Sequence, residues 1–161
     1  MTKAQYIGLC GERWVAAQIE QLGLRCRLLP DFMNPGADLI VEDQLHVEVK
    51  YAHQTERRTR NRSGSISVTN RWQWNLRTFD GMSAKVLILV AEDLSHRCYP
   101  FILPAWMMID RAQFQLTSHP TKYRGLLSDF LENWRVLTYI LNHGWALGEP
   151  GPWVEEVRDG E

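Results

Sequence analysis

Asp38 and, ten residues further on, the triplet Glu48-Val49-Lys50 bring two carboxylates and one ammonium into a short stretch of chain. Side chains on a β-strand alternate between faces, so Glu48 and Lys50 point one way and Val47 and Val49 the other. The valines can enter a core, which leaves the acid and the lysine side by side at a surface. Ala37–Glu42 and Leu45–Tyr51 are strand-like runs on either side of the polar break Asp43-Gln44, the pattern of a hairpin. Pairing them sets Asp38 near the far end of the partner strand, within reach of Glu48 and Lys50. Hard oxygen ligands of this kind suit Mg²⁺, which takes one or two carboxylates and fills its shell with waters and a substrate phosphate oxygen. Such an ion polarises the phosphate and lowers the pKa of a bound water, while Lys50 orients that water or offsets developing negative charge. A Glu-x-Lys triplet alone is most often an ion pair on a solvated strand. The chemical reading is favoured by the whole order: turn, Gly36-Ala37-Asp38, apolar strand, short turn, Val47-Glu48-Val49-Lys50.

The flanking chain must supply a scaffold for these groups. Ala4, Ile7, Gly11, Val15, Ile19 and Leu22 recur at helical spacing, so a helix is expected from Lys3 to Leu22, with Gly23 as its stop. Leu24–Leu29 is expected to be a strand ended by Pro30, and Asn34-Pro35-Gly36 a turn. His53–Gly64 is polar and basic and reads as a solvated loop. Ile66–Val68 is ambiguous, and Asn70–Phe79 reads as a helix with Trp72, Leu76 and Phe79 on one side and the two tryptophans in the core. Lys85–Ala91 has the continuous apolar, β-branched character of a buried strand, and Cys98–Leu103 reads as another, closed by Pro104. Leu126 to Leu141 carries an amphipathic helical pattern that ends before Gly144. The expected order is helix, three strands, helix, two strands, helix: an α/β fold with a mixed sheet. Residues 1–148 would form one domain, and 149–161 an acidic, loosely held tail.

With 161 residues and 45% hydrophobic content, the chain has the size of one ordinary domain with a substantial core. The longest uninterrupted apolar run, Val86–Ala91, is a strand length and far short of a membrane span. No basic-then-apolar signal stands at the start, so a cytoplasmic location and no membrane partner are expected. Cys10, Cys26 and Cys98 are too few and too scattered for a disulfide framework or a cysteine zinc site. The histidines have no metal-site spacing, and neither a Gly-rich phosphate loop nor a Gly-x-Ser-x-Gly elbow is present. Net charge is −1, but it is unevenly spread. Between Tyr51 and Arg77, six arginines (57, 58, 60, 62, 71 and 77) face Glu56 alone, whereas the last thirteen residues hold five acids against Arg158. A nearly neutral protein can thus present a local phosphate-binding face.

Asn34-Pro35-Gly36-Ala37-Asp38 followed by Glu48-Val49-Lys50 resembles the signature of the PD-(D/E)XK nuclease superfamily, with Ala37 in place of the usual proline. The superfamily includes restriction endonucleases, Holliday-junction resolvases, and repair and intron-encoded endonucleases. The resemblance implies a restriction-endonuclease-like core of helix, three strands, helix and strand, with a C-terminal helix added. It implies a Mg²⁺-dependent DNA endonuclease acting on duplex or branched DNA, with Mn²⁺ able to substitute, and a homodimer that addresses two strands. Asp38 and Glu48 would hold the metal with the backbone carbonyl of Val49, and Lys50 would assist the nucleophile. Many members bring in a glutamate from the first helix, which Glu12 matches; helical geometry puts Glu12 on the flank of the apolar stripe, as it would also put a charge bound for solvent. Gln73 corresponds to a polar residue supplied by the helix after the catalytic strand. Arg13, Arg57, Arg58, Arg60, Arg62 and Arg71 are candidate DNA contacts, because guanidinium forks match phosphate oxygens, although charge runs of this kind are commonly only solvated. Two rivals fit the same pattern: a catalytically silent DNA-binding or assembly module, and an exonuclease acting on DNA ends.

Overall fold

Thr2 opens the first helix by a reciprocal cap: its hydroxyl accepts from the Gln5 amide at 3.2 Å, and the Gln5 side chain accepts from the Thr2 amide at 2.8 Å. The helix, α1, runs Lys3–Gln21 and buries Gly11, Val15 and Ile19, the stripe expected from the spacing. Gly23 follows its end with φ 82°. The computed structural model describes residues 1–30, 36–79 and 83–144. The Asn34-Pro35 portion of the expected turn, the end of the expected single domain at 1–148 and the acidic tail lie outside them.

Three strands follow, β1 (Cys26–Leu28), β2 (Leu39–Val41) and β3 (Leu45–His53). The turn between β2 and β3 holds Glu42 and Asp43 at φ 51° and 53°. Non-glycine residues adopt this conformation at a cost. It is offset here by Arg25, whose amide donates to Glu42 Oε1 at 2.7 Å and whose Nε lies 3.2 Å from Oε2. The Arg25 bonds hold the Glu42 carboxyl below its ordinary range. The resulting register pairs Leu39 with Val47 and Val41 with Leu45.

Next come β4 (Thr55–Arg60), β5 (Ile66–Asn75), β6 (Val86–Glu92) and β7 (Cys98–Pro104), a short 3-10 turn over Ala105–Met108, β8 (Gln113–Leu116), and α2 (Arg135–His143). Five strands form one sheet in the order β1-β2-β3-β6-β7, and β4-β5-β8 form a second. β3 and β6 are parallel, Glu48 opposite Leu87 and Lys50 opposite Leu89; the other neighbours are antiparallel, so the sheet is mixed as expected. Every residue of β6 is buried.

Two expectations about this middle region are corrected. His53–Gly64 is not a loop: β3 runs to His53, and β4 pairs with β5 from Thr55 opposite Arg71 to Arg60 opposite Ile66. Asn70–Phe79 is not a helix, so the described residues place strands where the restriction-endonuclease-like order required a second helix. Trp72, Trp74, Leu76 and Phe79 are buried, and the first three stand at a spacing of two, which is strand periodicity. A parallel pair requires a long crossover, usually helical; here β4 and β5 form much of it. The indole of Trp72 donates to the Glu92 carbonyl at 2.9 Å and that of Trp74 to the Val90 carbonyl at 3.2 Å, clamping β5 to β6.

The expected long C-terminal helix is also shorter. Leu131 forms a bridge with Phe101, and the Glu132 amide donates to the Pro100 carbonyl at 2.7 Å with Glu132 at φ 53°. This attachment to β7 interrupts the pattern, leaving a 3-10 turn at Ser128–Phe130 and α2 from Arg135.

Candidate active site

Asp38 is fixed before β2 begins. Its amide donates to the Val47 carbonyl at 2.9 Å, and its carbonyl accepts from Leu29 at 2.8 Å. Its carboxylate then turns back on the partner strand, where Oδ2 accepts from the Val49 amide at 2.7 Å. The hairpin inferred from the Asp43-Gln44 break therefore brings Asp38 to the Glu48–Lys50 segment.

Glu48 departs from one expectation. It is not at the surface but only 5% exposed, and Lys50 is half-buried beside it with Nζ 2.6 Å from Glu48 Oε1. The second oxygen, Oε2, is buried without a hydrogen-bond partner. A buried carboxylate oxygen without a donor is costly, and a hard cation is a ligand that such an oxygen fits. The electrostatics agree with a crowded acidic centre. Burial first, and then the Glu48 carboxylate, push the Asp38 carboxyl up to about 7, with a smaller push from Glu12; the Val49 amide and Lys50 pull the other way.

α1 brings Glu12 to this centre through a close approach at Gly11. A methyl group built on Gly11 would lie 2.7 Å from Tyr51 Cδ2 and 3.0 Å from Tyr51 Cβ, so glycine lets the helix settle onto β3. Glu12, Asp38, Val49 and Lys50 line one cavity of about 410 Å³, together with Tyr51 and Asn75. Gly8 and Glu12 also line a larger neighbouring cavity against Leu28 and Leu29, and Tyr51 lines a third with His53, Arg71 and Gln73. The Asp38 cavity shares Gly8 and Glu12 with the first of these and Tyr51 with the second, and the three together are termed the furrow. Among the described residues, no three acidic, histidine or cysteine side chains close on a single point as a ready-made metal shell. Mg²⁺ needs only one or two carboxylates, and two, Glu12 and Asp38, line this cavity.

The other expected residues divide. Arg13 is exposed on α1, and Arg57, Arg58, Arg60 and Arg62 are exposed on β4 and the turn after it. Arg71 is half-buried on β5 and donates to the Gln73 side chain. Gln73 lies on a strand, not on the helix that the resemblance implied, and lines the Tyr51–His53 cavity rather than that of Asp38. Asn75, two residues on along the same face, takes the place at the Asp38 cavity.

Tyr51 was not singled out by the sequence, although it contacts both α1 and the furrow. Its hydroxyl donates to Glu92, which also pairs with His53 Nδ1 and, at 2.8 Å, with His96 Nδ1. Burial, followed by the bond to Glu92, raises the Tyr51 phenol above its usual range. Burial would raise Glu92, but the Tyr51 and His96 bonds hold its carboxyl low. Tyr51 is thereby locked in orientation at the furrow wall. A sequence signal for this existed in Gly11: a glycine within an apolar helical stripe marks a close approach.

The fold is similar to that of a bacterial homing endonuclease. The solved structure of I-Ssp6803I matches with a TM-score of 0.60 at 17% sequence identity, covering 85% of this chain and 92% of that one. No family model and no curated protein matches the chain. No described helix is long and apolar enough to cross a membrane.

Proposed function

We propose that this chain is a metal-dependent DNA endonuclease of the PD-(D/E)XK type, hydrolysing phosphodiester bonds in duplex or branched DNA. The observation that carries the proposal is the Glu48 carboxylate: one oxygen is paired with Lys50, the other is buried without a donor, and Asp38 is pinned to the same strand. The likeness of fold to a homing endonuclease supports the same reading.

Asp38, Glu48 and the Val49 carbonyl would hold the ion, with Glu12 reaching it directly or through water. A bound Mg²⁺, or Mn²⁺ in its place, supplies neutralising charge at the phosphate and lowers the pKa of a ligated water. The chain does the rest. Lys50 Nζ, held by Glu48, orients the attacking water or offsets negative charge as it develops on the phosphate oxygens. The Val49 amide fixes the Asp38 carboxylate, so the ligand geometry is set before substrate arrives. Because both strands of a duplex must be cut, we include a two-fold pair of chains in the proposal.

Incubation with plasmid, linear duplex, single-stranded and four-way-junction DNA, with and without Mg²⁺, tests the reading. Nicked and linear plasmid only with metal, and none from Lys50→Ala, is the expected result. Degradation of linear but not circular DNA would replace it with an exonuclease. DNA binding with neither cleavage nor Asp38-dependent metal uptake in calorimetry would replace it with a silent module.

A further inference from the structure

The β4–β5 register divides the arginine-rich segment into two faces. Directly opposed residues of an antiparallel pair share a face, and Thr55 opposes Arg71, Arg57 opposes Thr69, and Arg58 opposes Val68. Arg57, Arg71, Gln73 and Asn75 therefore lie on one face. β8 extends it, because Gln115 opposes Gln73 and Gln113 opposes Asn75. The alternate face carries Trp72 and Trp74, which are buried, and further out Arg58, Arg60, Ile66 and Val68, which are exposed. The first face is the one turned to the furrow: Arg71 and Gln73 line the cavity that adjoins the Asp38 cavity at Tyr51, and Asn75 lines the Asp38 cavity itself.

The chemistry of this face is uniform. Guanidinium, amide and hydroxyl groups occupy it, the Glu56 acid being on the other side. Its polar groups are linked along and across strands: Arg71 donates to Gln73 Oε1 on the same strand, and Gln73 Nε2 donates to Gln113 Oε1 on β8 at 2.7 Å. Both glutamines are exposed, so each amide retains capacity for a further partner. The outer part of the ribbon, 55–60 with 66–70, is exposed throughout and packs on no core. A free two-stranded ribbon gains little stability by itself, so packing does not account for its composition. A two-stranded ribbon fits the major groove of B-DNA, where Gln reads adenine and Arg reads guanine through paired hydrogen bonds.

We propose that this polar face enters the major groove beside the cleavage site and reads base edges through Arg57, Arg71, Gln73 and Gln113, and that Arg58 and Arg60 on the opposite face take no part in base reading. The inference rests on the endonuclease reading above and narrows it to an enzyme with base preference. It also gives Gln73 a role in recognition rather than at the metal.

The test is selection of cleaved sites from a randomised duplex library by the full chain with Mg²⁺, read by sequencing. The wild type is expected to enrich a motif. Gln73→Ala and Arg71→Ala are expected to relax it at one or two positions each, by roughly 5- to 100-fold in base discrimination. Arg58→Ala with Arg60→Ala is expected to leave the motif unchanged. Circular dichroism confirms that each variant is folded, and Gln73→Glu supplies a second change of hydrogen-bonding pattern at the same site, expected to alter the preferred base. Cleavage without any enriched motif overturns the inference but leaves the endonuclease reading standing, as does a motif that moves with Arg58 and Arg60 instead. Absence of metal-dependent cleavage on every substrate overturns both.

Discussion

The β2–β3 and β4–β5 hairpins are the same local object, two antiparallel strands joined by a turn, in opposite surroundings. β2–β3 is enclosed: Leu39, Val41, Val47 and Val49 are buried, and Glu48 is buried with them. β4–β5 projects outward, with every β4 residue exposed. In the first, an ion pair sits where a carboxylate is expensive, and one of its oxygens has no donor. In the second, arginines are placed at almost no cost because water remains around them. The buried acid is what supports the proposed chemistry, and the exposed arginines are what support the proposed contact with DNA.

The comparison is broken most severely if charge in the enclosed hairpin proves dispensable. Lys50→Ala is expected to lower metal-dependent cleavage by about 10²-fold or more, the scale of losing a group that meets charge in the transition state. Single-turnover kinetics on plasmid measure it, and a loss below tenfold would make Lys50 a structural partner of Glu48. Packing is next. Gly11→Ala places a methyl against Tyr51 and is expected to cost about 1–3 kcal/mol by overpacking, while also lowering cleavage by shifting Glu12. Denaturant melts and rates, read together, check it, and a change in stability with no change in rate would remove Glu12 from the mechanism.

The pH dependence sharpens the contrast further. The Asp38 carboxyl is raised from 3.8 to about 7, so it is proton-bound in the folded, metal-free protein where the unfolded chain has lost its proton. Its contribution to stability is therefore greatest below about pH 4, falls as pH rises toward 7, and is level above. Asp38→Asn, which keeps an oxygen to accept from Val49, is expected to raise the melting temperature at pH 8 while abolishing cleavage. Each kcal/mol gained would appear as about 2–4 °C. Cleavage by the wild type is expected to fall below pH 7 as Asp38 takes up its proton, with the midpoint moving lower as Mg²⁺ is increased. A midpoint indifferent to Mg²⁺ would show that Asp38 is not a ligand. The smallest effect belongs to the exposed ribbon: Arg58→Ala is expected to stay within about 0.5 kcal/mol of wild type in thermal melts, since it touches no core.

The features legible from sequence are those set by neighbours along the chain. Glu48 and Lys50 share a face because strand side chains alternate, and Gly11, Val15 and Ile19 share one because helices repeat every 3.6 residues. The Asp43-Gln44 break identified the hairpin that delivers Asp38. The same local logic misread Asn70–Phe79, because Trp72, Leu76 and Phe79 satisfy helical spacing while Trp72, Trp74 and Leu76 satisfy strand spacing, and the tie is broken by β6 accepting both indole protons. The basic run at 55–60 has a composition of loops, and only its pairing with β5 makes it a strand.

By itself the sequence determined that an acid, an acid and a lysine would be carried on a hairpin beside an amphipathic helix, since alternation and turn chemistry need no distant contact. Tertiary structure alone decided that Glu48 is buried with an oxygen left over, that Gly11 lets α1 settle on Tyr51, and that Arg57 shares a ribbon face with Arg71, which lines the furrow, while Arg58 and Arg60 lie on the other face. Burial, close approach and strand register arise from segments far apart in the chain, and a one-residue change of register would exchange the two faces.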